Sequence, residues 1–290
     1  MEIVRTIEWM KQAARQAEAA GGVAGLVPTM GALHEGHLSL VRAARQQCSR
    51  VVVSIFVNPK QFGPGEDFEA YPRNFKTDRA LLESAGVDCL FIPEAFEIYP
   101  AGFCTGVHVP GLSETFEGRV RPGHFQGVAT VVLKLFEIVR PRYAYFGRKD
   151  AQQARIIRQM AADLNLDAEI IVRPIVRESD GVAMSSRNAY LKDGERRAAA
   201  VLHRALHAVS LKIAEGARET SSLLEILRST VDSEPLAKID YAAIVDADSF
   251  APAGFLRGNC LVLIAARIGA TRLIDNLLVE EREGKFTLSL

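Results

Sequence analysis

The 290-residue chain predicts an α/β fold. A Rossmann-like parallel sheet with helices on both faces comes first, and a smaller α+β domain follows it. Three observations carry this. Over the first 174 residues, apolar β-branched runs alternate with helix-like segments, the order of β-α units that build a parallel sheet. The runs are not polar/apolar alternations: Val51–Val57 reads VVVSIFV, as expected of a strand covered on both faces. Beyond Pro174 the order changes to two helical stretches and then strands in succession. The domains are therefore placed at 1–174 and 175–290.

The elements follow in order. Thr6–Ala20 is Ala-rich and helical, and Gly21-Gly22 stops it. Val23–Pro28 (VAGLVP) is a buried strand, and a helix runs from about Gly36 to Cys48. Arg50–Pro59 holds the next strand. Phe62–Asn74 (FGPGEDFEAYPRN) is a long Gly/Pro-bearing loop, a type that is often functional between strands. Phe75–Ser84 is a helix ended by Gly86, and Val87–Pro93 (VDCLFIP) a strand. Phe125–Val139 is helical, Arg142–Gly147 (RYAYFG) a strand, Ala151–Leu164 a helix, and Ala168–Pro174 (AEIIVRP) a strand. In the second domain, helices at Gly194–Glu215 and Ser221–Val231 precede the strands KIDYAAIVD, CLVLIAARIG and TRLIDNLLV. In such folds ligands sit beyond the carboxyl ends of the parallel strands.

Composition narrows the function. The 35 Lys and Arg balance 35 Asp and Glu, without long blocks of one sign. This argues against a nucleic-acid coat or a membrane-surface protein, and requires any phosphate site to be built locally by chosen residues. No apolar run approaches the ~20 residues that span a bilayer, and MEIVRTIEWMKQ lacks a signal-peptide pattern. Cys48, Cys89, Cys104 and Cys260 form no C-x-x-C pair and read as reduced thiols of a cytoplasmic protein.

Three clusters carry chemistry. Gly31–Leu40 (GALHEGHLSL) puts His34 and His37 three residues apart where a strand gives way to a helix. Zinc peptidases use H-E-x-x-H, with a spacing of four. The spacing here differs, although the motif alone does not exclude zinc. Alternatively, backbone N–H groups at the helix start attract an anion and the imidazoles donate to phosphate oxygens. Val182–Asn188 (VAMSSRN) supplies two hydroxyls and a guanidinium suited to phosphate, beside a flexible Ser179-Asp180-Gly181. Phe146–Gln153 (FGRKDAQQ) enters a helix from a strand end. Lys149 is a point charge, Asp150 a candidate cap, and Gln152 and Gln153 read equally well as exposed helix residues. His203 and His207 read as helix surface and His108 as an ordinary strand residue.

These clusters, with SIFVNPKQFGPGEDFEAYPR, RPGHFQGVATVVLKLF and VRESDGVAMSSRNAYL, resemble the pantothenate synthetase (pantoate–β-alanine ligase) family over nearly the whole chain. HEGH resembles the H-x-G-H signature of the nucleotidylyltransferase superfamily, and MSSR its KMSKS loop with Ser in place of the lysine. The resemblance implies an enzyme that condenses pantoate with β-alanine through pantoyl adenylate, using ATP and Mg²⁺ and releasing pyrophosphate and AMP. It implies that Met30, Gly31, Ala32, Leu33, His34, Glu35, Gly36 and His37 line the ATP site, with His37 the proton donor. It further implies ATP contacts from Gly147, Arg148, Lys149, Asp150 (ribose), Val176 (backbone to adenine), Met184, Ser185, Ser186 and Arg187. Gln61 and Gln153 match the pantoate glutamines, and Asn58 and His124 their neighbourhood. A homodimer is implied, with no protein-ligated metal, nucleic acid or membrane.

Three positions depart from the family pattern. Arg148 stands where Glu is usual, so it either raises phosphate affinity or points to solvent. Lys60 replaces an apolar residue, and Ala151 an aromatic. The alternatives kept are an adenylyltransferase for another small acceptor, a zinc hydrolase built on His34 and His37, and a non-catalytic nucleotide-binding module.

Overall fold

A computed structural model describes residues 1–290. The chain divides into two units, Met1–Arg148 with Gln152–Arg173, and Lys149–Ala151 with Pro174–Leu290.

The first unit is built on β1 (Glu2–Val4), β2 (Ala24–Thr29), β3 (Arg50–Ile55), β4 (Cys89–Phe91), β5 (Tyr143–Gly147) and β6 (Glu169–Arg173). They form one sheet in the order β1-β4-β3-β2-β5-β6, every pair parallel. Its helices are α1 (Ile7–Ala19), α2 (Glu35–Gln47), α3 (Phe75–Ser84), α4 (Ala95–Ile98), α5 (Phe116–Val120), α6 (His124–Val139) and α7 (Ala151–Asp163).

Successive strand residues point to opposite faces of a sheet, and here both directions are apolar. Leu26, Val52, Phe91, Ala144 and Phe146 pack with Met10 and Ala13 of α1, the apolar α6, and Ile157 and Met160 of α7. Their neighbours Val27, Val51, Val53, Leu90 and Tyr145 pack with Leu40, Val41 and Ala44 of α2 and Leu82 of α3. Burying each such large apolar side chain contributes about 1.5–3 kcal/mol, so both faces drive folding and the strands need no polar side. α1 is held at its start by Thr6, whose hydroxyl accepts from the Trp9 N–H, and the chain leaves it through Gly21 in the left-handed region.

The second unit carries α8 (Asp193–Ala198), α9 (Val201–Ala214) and α10 (Thr220–Asp232), then β7 (Ala237–Asp246), β8 (Cys260–Ile268), β9 (Thr271–Arg282) and β10 (Lys285–Ser289). The four strands form an antiparallel sheet in the order β10-β9-β8-β7. Leu202, Leu206, Val209, Leu223 and Leu227 of the helices pack on Ile244, Val262, Ile264 and Leu277 of the sheet. The single helix expected over Gly194–Glu215 is two. At Ala199-Ala200 the ladder tightens, the Leu202 N–H reaching the Ala199 carbonyl three residues back. No helix is long and apolar enough to cross a membrane.

Candidate active site

The sheet order fixes where a ligand can sit. From β2 the chain builds outward through β3 and β4; β5 and β6 then add on the opposite side of β2. The strand order therefore reverses between β2 and β5, and open α/β sheets bind ligands at that switch point, beyond the strands' carboxyl ends. Pro28 contributes locally. It has no N–H to give β5, and the β2–β5 ladder is confined to Gly25 and Leu26, whereas β2 continues alongside β3 to Thr29. The segments leaving β2 and β5 are Met30–His37 and Arg148–Gln153.

Gly31 (φ 82°) and Ala32 (φ 49°) both lie in the left-handed region. That conformation suits glycine and costs alanine about 1–2 kcal/mol, so something must hold it. Asp78 of α3 does. Its carboxylate accepts from the Ala32 N–H at 3.0 Å and the Leu33 N–H at 2.8 Å, and the side chain is 3% exposed. The Thr29 hydroxyl accepts from the Gly31 N–H and donates to the Ser54 carbonyl. The loop is thus clamped from β3 and α3 before α2 begins. A Cβ at Gly31 would crowd Asp78 Oδ2 at 3.0 Å.

His34 and His37 start α2 as a reciprocal cap. His34 Nδ1 accepts from the Gly36 N–H at 3.1 Å, and His37 Nδ1 from the His34 N–H at 3.4 Å. Two of the backbone donors expected to face an anion are therefore taken by the imidazoles. Since both Nδ1 atoms accept, these hydrogen bonds assign each neutral ring its proton on Nε2. The rings lie 4.1 Å apart between centroids, tilted at 41°. The pair thus carries two Nε2–H donors side by side. No group of three or more His, Cys, Asp or Glu gathers anywhere in the chain, so this donor set does not fit a zinc centre. Glu35, beside them, is exposed and paired with Arg42.

Gln61 closes a three-residue helical turn, Pro59–Gln61, capped by Asn58. Asn58 is 1% exposed, and its amide is fully engaged. Nδ2 donates to Gln61 Oε1 (3.0 Å) and to the Gly127 carbonyl (3.1 Å); Oδ1 accepts from Tyr99 Oη–H (2.8 Å) and from the Lys60 N–H (3.2 Å). Gln61 Nε2 lies 3.2 Å from Met30 Sδ of the loop after β2. His124, at the start of α6, holds the Gln61 backbone. Its Nδ1 is 2.8 Å from the Gln61 carbonyl, which only accepts, so Nδ1 bears the proton and Nε2 accepts from Arg121 Nη1 at 3.1 Å. Arg121 in turn grips Glu66 with two bonds of 2.7 Å, tying the Phe62–Asn74 loop to the connection between α5 and α6. Burial first, and the Arg121 guanidinium second, depress the His124 pKa to about 4. Burial raises the Glu66 carboxyl, but its bonds to Arg121 outweigh this and leave it below its ordinary value. Asn58 and His124 therefore belong to the framework of Gln61.

In the second unit, Lys149, Ala183, Ser185, Leu202, Ile274 and Asp275 line one cavity. The Ser185 hydroxyl accepts from the Arg187 N–H and caps the helical turn Ser186–Tyr190, while the Met184 N–H donates to the Val176 carbonyl. Asp180, expected to be flexible, is held by two Arg196 bonds of 2.6 and 3.0 Å. Asp150 is exposed, 3.9 Å from Lys149 Nζ.

Several sequence expectations are corrected here. Arg148 does not point to solvent; it is 7% exposed. Gln152 is not a surface residue: it accepts from the Glu117 N–H and donates to the Leu112 and Thr115 carbonyls, pinning the segment before α6. Gln153, one residue on, is half-buried at the start of α7. Lys60 is exposed, and its ammonium lies 5.3 Å from the ring centres of both Tyr99 and Phe103, with its polar head kept in water. His108 is in no strand; it lies in an irregular segment, 3.7 Å from Glu114. His203 is half-buried rather than on the surface, and burial together with Arg177 lowers its pKa.

The chain is similar to known proteins over nearly its whole length. The family model described as pantoate-beta-alanine ligase matches residues 2–278. A pantothenate synthetase of Heliobacterium modesticaldum is 55% identical over 280 residues, covering 97% of this chain and 100% of the relative. The crystal structure of pantothenate synthetase from Thermus thermophilus superposes with a TM-score of 0.91 at 46% identity, over 96% of this chain and 99% of that one. A pantoate-beta-alanine ligase from Francisella tularensis, complexed with beta-gamma ATP and beta-alanine, superposes with a TM-score of 0.79 at 35% identity, over 96% and 97%. With one family model matched from residue 2 to 278 and relatives aligned over nearly their full lengths, the chain belongs to the pantoate-beta-alanine ligase family.

Proposed function

We propose that the ATP-dependent joining of pantoate to β-alanine, the reaction of this family, runs here through pantoyl adenylate on the residues described above. A pantoate carboxylate oxygen attacks the α-phosphorus of ATP and displaces pyrophosphate. The β-alanine amine then attacks the acyl carbon, loses a proton, and expels AMP. No covalent bond to the protein is required. The protein's task is to align two mutually repelling anions and to stabilise charge growing on the phosphates. Alignment of this kind is worth up to about 7–11 kcal/mol of barrier.

The first unit supplies the Nε2–H donors of His34 and His37 for phosphate oxygens, with His37 the proton donor, on the loop Met30–Leu33. It also supplies Gln61 and Gln153, whose amides both donate and accept and so suit pantoate's hydroxyls and carboxylate. The second unit supplies Lys149 as a point charge for phosphate, Asp150 for the ribose, the Val176 backbone for adenine, and Met184–Arg187 over the triphosphate. Gly147 and Arg148 complete the Lys149 turn.

The observation that carries this reading is the setting of Gln61. It is a neutral amide, 8% exposed, anchored through side chain and backbone and placed against Met30 of the nucleotide loop. A small polyhydroxylated acid needs such a partner; a nucleotide or phosphorylated acceptor would call for cations. Mg²⁺ arrives as the counter-ion of the triphosphate, keeping most of its waters. The active form is a cytoplasmic homodimer, which sedimentation at micromolar concentration checks.

The test is product release from ATP and Mg²⁺. Pyrophosphate with pantoate alone, and AMP with pantothenate only after β-alanine is added, supports the route. A folded, ATP-binding protein that releases no pantoate-dependent pyrophosphate would overturn it in favour of adenylyl transfer to another acceptor.

A further inference from the structure

The second unit contains a junction that the reaction as described leaves unused. Asp275 and Asn276 are consecutive residues of β9, 4% and 1% exposed. Buried polar groups are costly unless bonded, and both are bonded to segments proposed above to hold ATP. Asn276 Nδ2 donates to the Lys149 carbonyl at 3.1 Å. Asp275 takes both ends of the Arg177 guanidinium, Oδ2 from Nη1 at 2.7 Å and Oδ1 from Nη2 at 3.0 Å, and Oδ1 also accepts from the Asn276 N–H at 2.8 Å. Arg177 Nη1 donates once more, to the Gly181 carbonyl at 3.0 Å.

Arg177 and Gly181 belong to a small antiparallel loop. Arg177 bridges to Ala183, the Glu178 N–H reaches the Val182 carbonyl, and the Met184 N–H reaches the Val176 carbonyl. The loop therefore leads straight into Met184–Arg187. Asn188 Nδ2 closes the far side on the Ala183 carbonyl. The bidentate fork fixes direction as well as distance, and β9 is an interior strand of its sheet, paired on both sides. Lys149, Ser185 and Asp275 line the same cavity.

We infer that Asp275 and Asn276 are positioning residues that set the two ATP-binding segments, the Lys149 turn and the Met184–Arg187 loop, in one register from a single rigid strand. Asn276 acts through the Lys149 main chain, and Asp275 acts through Arg177 and the 177–183 loop. This rests on the reading of Lys149 and Met184–Arg187 as ATP contacts. A ligand bridging both segments meets donors already spaced for it and loses little ordering entropy.

The test is Asn276→Leu, which keeps the shape and removes the donor, in the full-length enzyme. The KM for ATP should rise about tenfold, the scale of one lost hydrogen bond, while the KM for pantoate changes less than about twofold. In a Lys149→Ala background, Asn276→Leu should add less than about twofold, because its effect passes through that residue. Equal rises in both KM values, or full additivity with Lys149→Ala, overturn the inference. Lys149→Ala with an unchanged ATP KM would instead sink the ATP role of Lys149 beneath it. Should Asn276→Leu not fold, Arg177→Met with Asp275→Leu replaces the buried ion pair by apolar groups of similar size, a change that cores accept. The same ATP-against-pantoate comparison then decides.

Discussion

Lowering the pH from 7.5 to 5 should cost stability, because the buried anchor of Gln61 resists a proton that the unfolded chain takes up. His124 is 8% exposed, donates from Nδ1 to the Gln61 carbonyl, and accepts at Nε2 from Arg121. A second proton has to go on Nε2, which would place two donors face to face across 3.1 Å. Burial first, and this geometry with Arg121 second, account for a folded pKa of about 4 against an ordinary 6.5. Between those values the unfolded chain binds the proton and the folded chain does not, so stability falls as pH falls. One pKa unit is worth about 1.36 kcal/mol, so the loss reaches ~3.4 kcal/mol below pH 4 and about 2 kcal/mol at pH 5. Histidine-labelled NMR reads the ring directly, and urea unfolding by circular dichroism reads the energy. His124→Asn keeps a donor near the Nδ1 position and cannot titrate, so its stability should fall by about 2 kcal/mol less than the parent's between pH 7.5 and 5. A His124 ring titrating near 6.5, or parallel losses in parent and variant, would refute the reasoning.

Three further outcomes follow from the site. Asp78→Asn retains one acceptor for the Ala32 and Leu33 N–H groups and sets an amide donor against the other; at about 1.5–3 kcal/mol for a bond to a charged group, calorimetry should show ATP affinity down at least about tenfold. Unchanged ATP affinity would mean that the left-handed turn holds itself. His37→Ala should lower turnover by about 10²–10⁴-fold, the usual worth of a positioned proton donor, with a melting temperature within a few degrees of the parent; normal turnover in steady-state assays would remove it from the chemistry. Gln153→Ala should raise the KM for pantoate more than that for ATP, and equal effects on both would count against its assignment.

What the sequence determined by itself is what repeats or stays contiguous. Unalternating runs such as Val51–Val57 identify strands with two apolar sides, and the Ala-rich run stopped by Gly21-Gly22 identifies α1. Strand β1 escaped because three edge residues carry no period. Strand β10 (KFTLS) does alternate, but over only five residues; it exists through the turn at Glu283-Gly284, where both residues adopt positive φ, and it escaped together with that turn. The nucleotide motifs were legible because each is an unbroken segment leaving a strand. Their supports were not. Asp78 lies 46 residues from Ala32, Glu66 55 from Arg121, and Asp275 98 from Arg177. Each reads in sequence as an ordinary surface charge. Tertiary structure alone decided that Arg148 and Gln152 are buried. It likewise made His124 the anchor of Gln61. The physical reason is that local periodicity encodes which face a residue turns inward, whereas a buried polar group's partner is chosen by chain closure, which brings together groups far apart in sequence.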